Sequence, residues 1–364
     1  MTKITIDNHY VPRFIQKGFS FNPDSDEPKV YYVDMTKGIH HSKLVTKRKT
    51  RKLWYQEYLY EQEKEDAFES YMETPFSNIL NRKVMKSQKY VELDSREENI
   101  MRKYFLGQWI RTPDLKDKFD KETGVSTDLR WVDLLELFVK DDTNLFLLSH
   151  HPDPYISKSA NIILNCPLIF LNTDDEFVLN DGGMYASYYN EIADFIDEIK
   201  PDDSNGSWMM EVGLKMDQTD GSIMTYMLYP LKSNIAALLL NPLWAFNEFK
   251  DKVESGSSSS GRLVSNPIGI SNIIREAEMS KEDFYYGIAK KHHRIVKIMP
   301  LKTKAINRAT ICTSKNGFIF KTPELLRETI VTQFVSEFNS EVEEPYRAIS
   351  RRLSKHINGI EPIE

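Results

Sequence analysis

Three polar residues far apart in the chain, His9, Arg111 and Asp181, have the chemistry to act on a phosphate ester. A histidine titrates near neutrality, so it can give or take a proton at physiological pH. An arginine grips two oxygens of a phosphate at once and opposes the charge that develops on it. An aspartate after an apolar strand and before Gly182-Gly183 stands where sites are often built. Together these groups describe a phosphodiester hydrolase. Each also has a plainer use: a histidine capping a turn, an arginine closing a helix, an aspartate holding a loop. Arg13, Asn307 and Arg308 complete the candidate polar set as binding residues. Asn307 can turn inward, whereas Arg308 is expected on a solvated helix face.

His9 is the best placed of them. Pro12 keeps Val11 out of the helical region and suits a helix starting near Arg13. Tyr10, Phe14 and Phe19 are too many large apolar groups for a loose tail. The imidazole is therefore expected on a fixed turn ahead of a short docked helix, ordered and mostly buried.

Lys47, Arg48, Lys49, Arg51 and Lys52 are five cations in six residues, read as a loop. Such a loop can contact nucleic-acid phosphates or simply stay solvated beside the acidic stretch from Glu57 to Asp66. This basic run, and the want of a strong catalytic motif, support the alternative to an enzyme: a module that binds a nucleic acid, nucleotide or protein. Glu69 and Glu73, four apart on a helix, can share a face and hold a divalent cation, but surface helices show the same spacing and that reading is preferred. The doublets His40-His41, His150-His151 and His292-His293 are poor metal ligands, because adjacent side chains diverge on a helix or strand. No metal site is expected and no cofactor is indicated. Gly-rich phosphate loops, a Gly-x-Ser-x-Gly elbow and a His-Glu-x-x-His helix are absent from the sequence.

The elements that must position these groups follow from pattern. The 364 residues are 40% apolar and 28% charged, with a formal net charge of -6. That is an ordinary globular composition with no global attraction for nucleic acid. No apolar run approaches the roughly twenty residues of a bilayer span. The first residues lack the apolar centre of a signal peptide, and Cys166 and Cys312 are the two cysteines, so a cytoplasmic chain with two separate thiols is expected. Strands are predicted at 29–34 and 38–45, and helices at 58–86, 95–112 and 128–150, the second capped by Ser95 with Glu98. Short strands are predicted at 161–171, 176–179, 222–228, 234–240 and 318–320, with turns at 205–207 and 220–221. Helices are predicted at 271–291, 301–313 and 324–338. A Ser/Gly loop covers 255–261. The expected architecture is one α+β domain over 1–364: a mainly helical half with an N-terminal hairpin to about residue 160, packed on a mostly antiparallel sheet with C-terminal helices from 161.

Several separated motifs resemble the bacterial and phage family called domain of unknown function 4238. They are His9-Tyr10-Val11-Pro12, Arg111-Thr112-Pro113, Asn180-Asp181-Gly182-Gly183, Tyr229 to Asn234, Ile306-Asn307-Arg308 and Phe318-Ile319-Phe320. They occur in the family's order and span most of the chain. At Asp181 the family's Ser and Pro are replaced by Asn180 and Gly183. The resemblance implies the extent of the domain and carries no activity with it. A hydrolase in conflict between bacteria and phage, or a non-catalytic binding module, are the two functions expected.

Overall fold

Pro12 fixes the first turn of the molecule. The computed structural model describes residues 7–37, 45–57, 61–112, 131–138, 144–152, 154–189, 223–240 and 292–325. Strand β1 (Asp7–His9) leads through Pro12 into helix α1 (Arg13–Lys17), whose first amides, Ile15 and Gln16, donate to the Pro12 carbonyl. Strands β2 (Lys29–Asp34) and β3 (Val45–Lys49) follow, then a 3-10 turn (Thr50–Lys52) and β4 (Tyr55–Glu57). β4 pairs antiparallel with β1, placing His9 opposite Tyr55.

Helix α2 (Gln62–Phe68) runs into a π-helical turn (Glu69–Glu73) and on into α3 (Thr74–Arg82). The long helix expected over 58–86 is thus divided at Thr74-Pro75, because a proline ring cannot sit inside a regular α-helical ladder. After β5 (Tyr90–Glu92) comes α4 (Ser95–Ile110), the longest described helix, buried along most of its length beyond the first turn. Its cap is Asp94, one residue before the expected Ser95. The Asp94 carboxylate accepts from the amides of Arg96 and Glu97, each at 2.9 Å, and the Asp94 amide donates in turn to the Glu97 carboxylate. The capping box is one residue earlier because aspartate accepts two amides at once.

Helices α5 (Trp131–Phe138), α6 (Leu145–Leu148) and α7 (Pro154–Asn165) follow. The expected strand over 161–171 is corrected. Residues 161–165 finish α7, and the strand, β6 (Leu168–Thr173), starts beyond Cys166-Pro167. A mostly apolar run, here broken only by Asn165 and Pro167 after Asn161, has no period to separate helix from strand. The rest comprises β7 (Leu179–Asn180), β8 (Tyr185–Tyr189), β9 (Ile223–Lys232), β10 (Ile235–Leu240), β11 (His292–Ile298), α8 (Pro300–Cys312) and β12 (Gly317–Phe320). Of the strand expected at 38–45 only Val45 falls among the described residues, where β3 begins and runs through the basic residues to Lys49, paired along β2. The turns at 205–207 and 220–221, the Ser/Gly loop, the helix at 271–291 and nearly all of that at 324–338 lie outside the described residues.

The fold is α+β. The described strands make three sheets rather than one: β1-β4, a six-stranded sheet β5-β11-β6-β10-β9-β8, and a four-stranded sheet β3-β2-β12-β7. All described pairings are antiparallel except β6 with β11. One core cluster runs from Tyr10 to Ile319 and joins α4 to both faces of its surroundings; a smaller one lies under β2, β12 and α8. Among the described residues no helix is long and apolar enough to cross a membrane.

Candidate functional site

Three of the sequence motifs meet at the C-terminal end of α4. Arg111 follows the helix and is fully buried. Its guanidinium donates to the carbonyl of His9 at 2.6 Å and pairs with Glu73 at 2.5 Å, and it lies 4.8 Å from the centre of the Phe68 ring. One turn earlier, the Gln108 amide donates to the carbonyl of Tyr10 at 2.9 Å and to that of Gly182 at 3.2 Å. Gln108 thus ties the His-x-x-Pro segment to the turn that carries Asp181, and Arg111 ties the same segment to Glu73. Gly183 has φ of 70°, and a Cβ there would stand 2.6 Å from the Gln108 amide nitrogen. Glycine therefore suits both the left-handed backbone and the close approach.

His9 is buried, with 8% of its surface exposed. Its Nε2 is 3.3 Å from the Arg51 carbonyl, and its ring is tilted against Tyr55 at 6.0 Å. Trp54, at the reversal into β4, has φ of 52°, and its carbonyl accepts the Tyr10 amide. A non-glycine residue there carries about 1 kcal/mol or more of strain, which its burial and that hydrogen bond hold in place.

Glu73 lies across the π turn from Glu69, and its neighbourhood is unbalanced. Burial pushes its carboxyl above the usual range, Arg111 pulls it down, and Glu65 and Glu69 push it up again, with a net rise. Glu69 is exposed. Among the described residues no group of histidine, cysteine, aspartate or glutamate could hold a metal ion.

The remaining candidates have different work. The Asp181 carboxylate accepts the amides of Lys315 at 3.1 Å and Asn316 at 2.7 Å, holding the turn before β12. Asn307 accepts from the Val178 amide at 2.8 Å and donates to the Glu176 carbonyl at 2.7 Å, which fastens α8 to the segment before β7. Arg308, expected on a solvated face, is buried with 4% exposure. Helix α8 buries Thr303, Ile306, Asn307 and Thr310 as well, and so has little face to spare for water. Arg13 is exposed at the start of α1.

The basic run is a strand and a 3-10 turn rather than a loop. Strand alternation turns Lys47 and Lys49 to one side and Arg48 to the other. Lys47 sits 5.5 Å over the Tyr31 ring and 5.7 Å over Phe21. Lys49 and Arg51 both pair with Glu27, Arg51 at 2.5 Å, and the Lys49 hydrogen bond chiefly holds that carboxyl below its ordinary value. Lys47, Arg48 and Lys52 are exposed.

A family model described as "Protein of unknown function (DUF4238)" matches residues 7–360. The chain belongs to that family. No curated protein and no solved structure matches it. In this DUF4238 chain the motifs at 9–12, 111–112 and 180–183 converge on the last turn of α4.

A second buried polar group had no counterpart among the expected residues. Glu98 pairs with Arg102 at 2.5 Å and stands 2.6 Å from His293 Nε2, all three nearly inaccessible. Arg102 also donates to the carbonyls of Ile163 and, at 2.8 Å, Cys166. Glu98 and Arg102 are four apart in one helix, a spacing legible in sequence. That His293 completes the group depends on β11 lying beside β6, which no local pattern reveals.

Proposed function

We propose that this chain is a non-catalytic module that binds nucleic acid, with the contact made by Lys47, Arg48 and Lys52 on β3 and the turn after it. The observation that carries this reading is the use to which the candidate catalytic groups are put. Arg111 holds the His9 carbonyl, Asp181 holds two amides of the turn before β12, and Asn307 holds Glu176 and Val178. Each secures backbone, the role of a scaffold rather than of a reacting group. The three exposed cations extend from an ordered strand and turn, where they can neutralise phosphates without reading bases. Titration of short RNA and DNA at several salt concentrations tests it. Neutralising Lys47, Arg48 and Lys52 together should weaken binding and flatten its salt dependence; identical slopes in the wild type and the triple variant would refute it.

A phosphodiester hydrolase acting between bacteria and phage is the second reading, and the place of His9 supports it. The imidazole touches the carbonyl of Arg51, inside the basic segment itself. Cleavage of a labelled oligonucleotide that His9→Ala abolishes, with an unchanged Tm, would put this reading first.

A further inference from the structure

Lys17, Lys232 and Lys321 belong to three distant segments: the end of α1, the end of β9 and the residue after β12. They line one cleft of about 510 Å³, together with Phe14, Asn81 and a single acid, Asp24. That volume is within the ~300–1,000 Å³ typical of small-molecule sites.

Lys232 is the best fixed of the three. Its Nζ donates to the Asn81 side-chain oxygen at 2.8 Å. A Cβ on Gly18 would stand 2.9 Å from Lys232 Cγ and 3.2 Å from the Leu231 carbonyl oxygen. The bare backbone of Gly18 is thus what allows the lysine stem to lie against α1. The Ser233 amide donates to the Gly18 carbonyl at 3.2 Å and locks the two segments together. Burial lowers the Lys232 pKa, and its polar partner is a neutral amide rather than a carboxylate. Lys321 stands 3.9 Å from Glu176, at the limit of an ion pair. The cleft therefore gathers positive charge, with its central ammonium partly stripped of water and held in place. A dianion recovers that cost by charge-assisted hydrogen bonds. Phe14, half-buried against Phe76 and Tyr104, supplies an aromatic surface beside the charges.

We propose that this cleft binds a nucleoside monophosphate, its phosphate among Lys17, Lys232 and Lys321 and its base against Phe14. The site is separate from the β3 surface and asks for a different ligand, a small phosphate monoester.

Calorimetric titration of the full chain with AMP, inorganic phosphate, ribose 5-phosphate and adenosine tests it. AMP should bind more tightly than either inorganic phosphate or ribose 5-phosphate, and adenosine should not bind. Lys232→Met keeps the stem on Gly18 and removes the charge; it should weaken AMP binding about 10- to 100-fold. A Lys17→Ala/Lys321→Ala variant serves the same end if Lys232→Met folds poorly. Neutralising Lys47, Arg48 and Lys52 should leave AMP binding unchanged, so the cleft and the β3 surface stand or fall apart. Absence of AMP binding, or equal binding by the wild type and the lysine variants, would overturn the proposal. So would AMP binding no better than inorganic phosphate or ribose 5-phosphate.

Discussion

Helix α4 carries two buried arginines that look alike and are balanced differently. Arg102, mid-helix, meets Glu98, which also faces His293. Arg111, just past the end, meets Glu73, whose other charged neighbours are Glu65 and Glu69. Burial alone would raise both carboxyls. Around Glu98 the Arg102 guanidinium and a hydrogen bond from the His293 ring outweigh it, and the carboxyl falls below its ordinary value. Around Glu73 one cation is set against two further acids, and the carboxyl rises. Both arginines also hold backbone carbonyls from distant segments. The same pairing can thus be a charge-compensated clamp in one place and an acid-leaning one in the other.

The largest expected effect breaks the compensated clamp. Arg102→Met leaves Glu98 and two carbonyls without their buried donor and should cost about 3–5 kcal/mol in urea unfolding. If the cost is below about 1 kcal/mol, the group is not the anchor described. Next comes Arg111→Lys, which keeps the charge and loses the fork. It should cost about 1–3 kcal/mol, with faster hydrogen exchange at the Tyr10 amide while amides of β10 stay protected.

The two glutamates should then separate by pH. Glu98 has a lowered folded pKa, so its contribution is full above the ordinary carboxylate range and is lost as pH falls through that lowered value. Glu73 has a raised folded pKa, so its contribution is present below the ordinary range and is lost as pH rises through the raised value. Glu73→Gln should therefore cost little near neutrality and reduce the chain's relative gain at mildly acidic pH. Stability-pH curves of wild type and variant that run parallel would remove the distinction. The smallest effect concerns Cys166, whose carbonyl Arg102 holds. Burial pushes its thiol up to about 12. It should resist alkylation at pH 8 in the native protein and react once unfolded; labelling of Cys166 in the native state would show the clamp to be open.

Much of this frame was legible because local physics wrote it. Pro12 announced α1, the Ser95–Glu98 spacing announced α4 with its cap one residue off, and Phe318-Ile319-Phe320 announced β12. Where the physics is not local, reading failed. The run from Ile162 to Leu171 is apolar but for Asn165 and Pro167, so no period divides it, and the break comes at Pro167. Arg308 reads as a surface cation because the part of the chain that packs on α8, around β7, lies far off in sequence. The site residues divide the same way. His9 and Arg111 drew notice by their neighbours, but Gln108 and Glu73, which join their segments to α4, are ordinary helix residues by type. The lysine cleft needs Gly18, Lys232 and Lys321 together, and nothing in any one segment marks it.

The π turn at Glu69–Glu73 has a consequence for chain length. Each helical residue turns the chain by about 100°, and a π turn holds one residue more than the α-helical turn it replaces. Deleting the exposed Ser70 would leave a more regular helix and an intact sequence on either side. It would also swing either Phe68 or Glu73 about a quarter-turn away, parting two side chains that now both touch Arg111. The spacing between Phe68 and Glu73 is therefore set by an arginine just past the end of α4, and this helix, unlike a loop, cannot change length by one residue without loosening the hold on the His9 carbonyl.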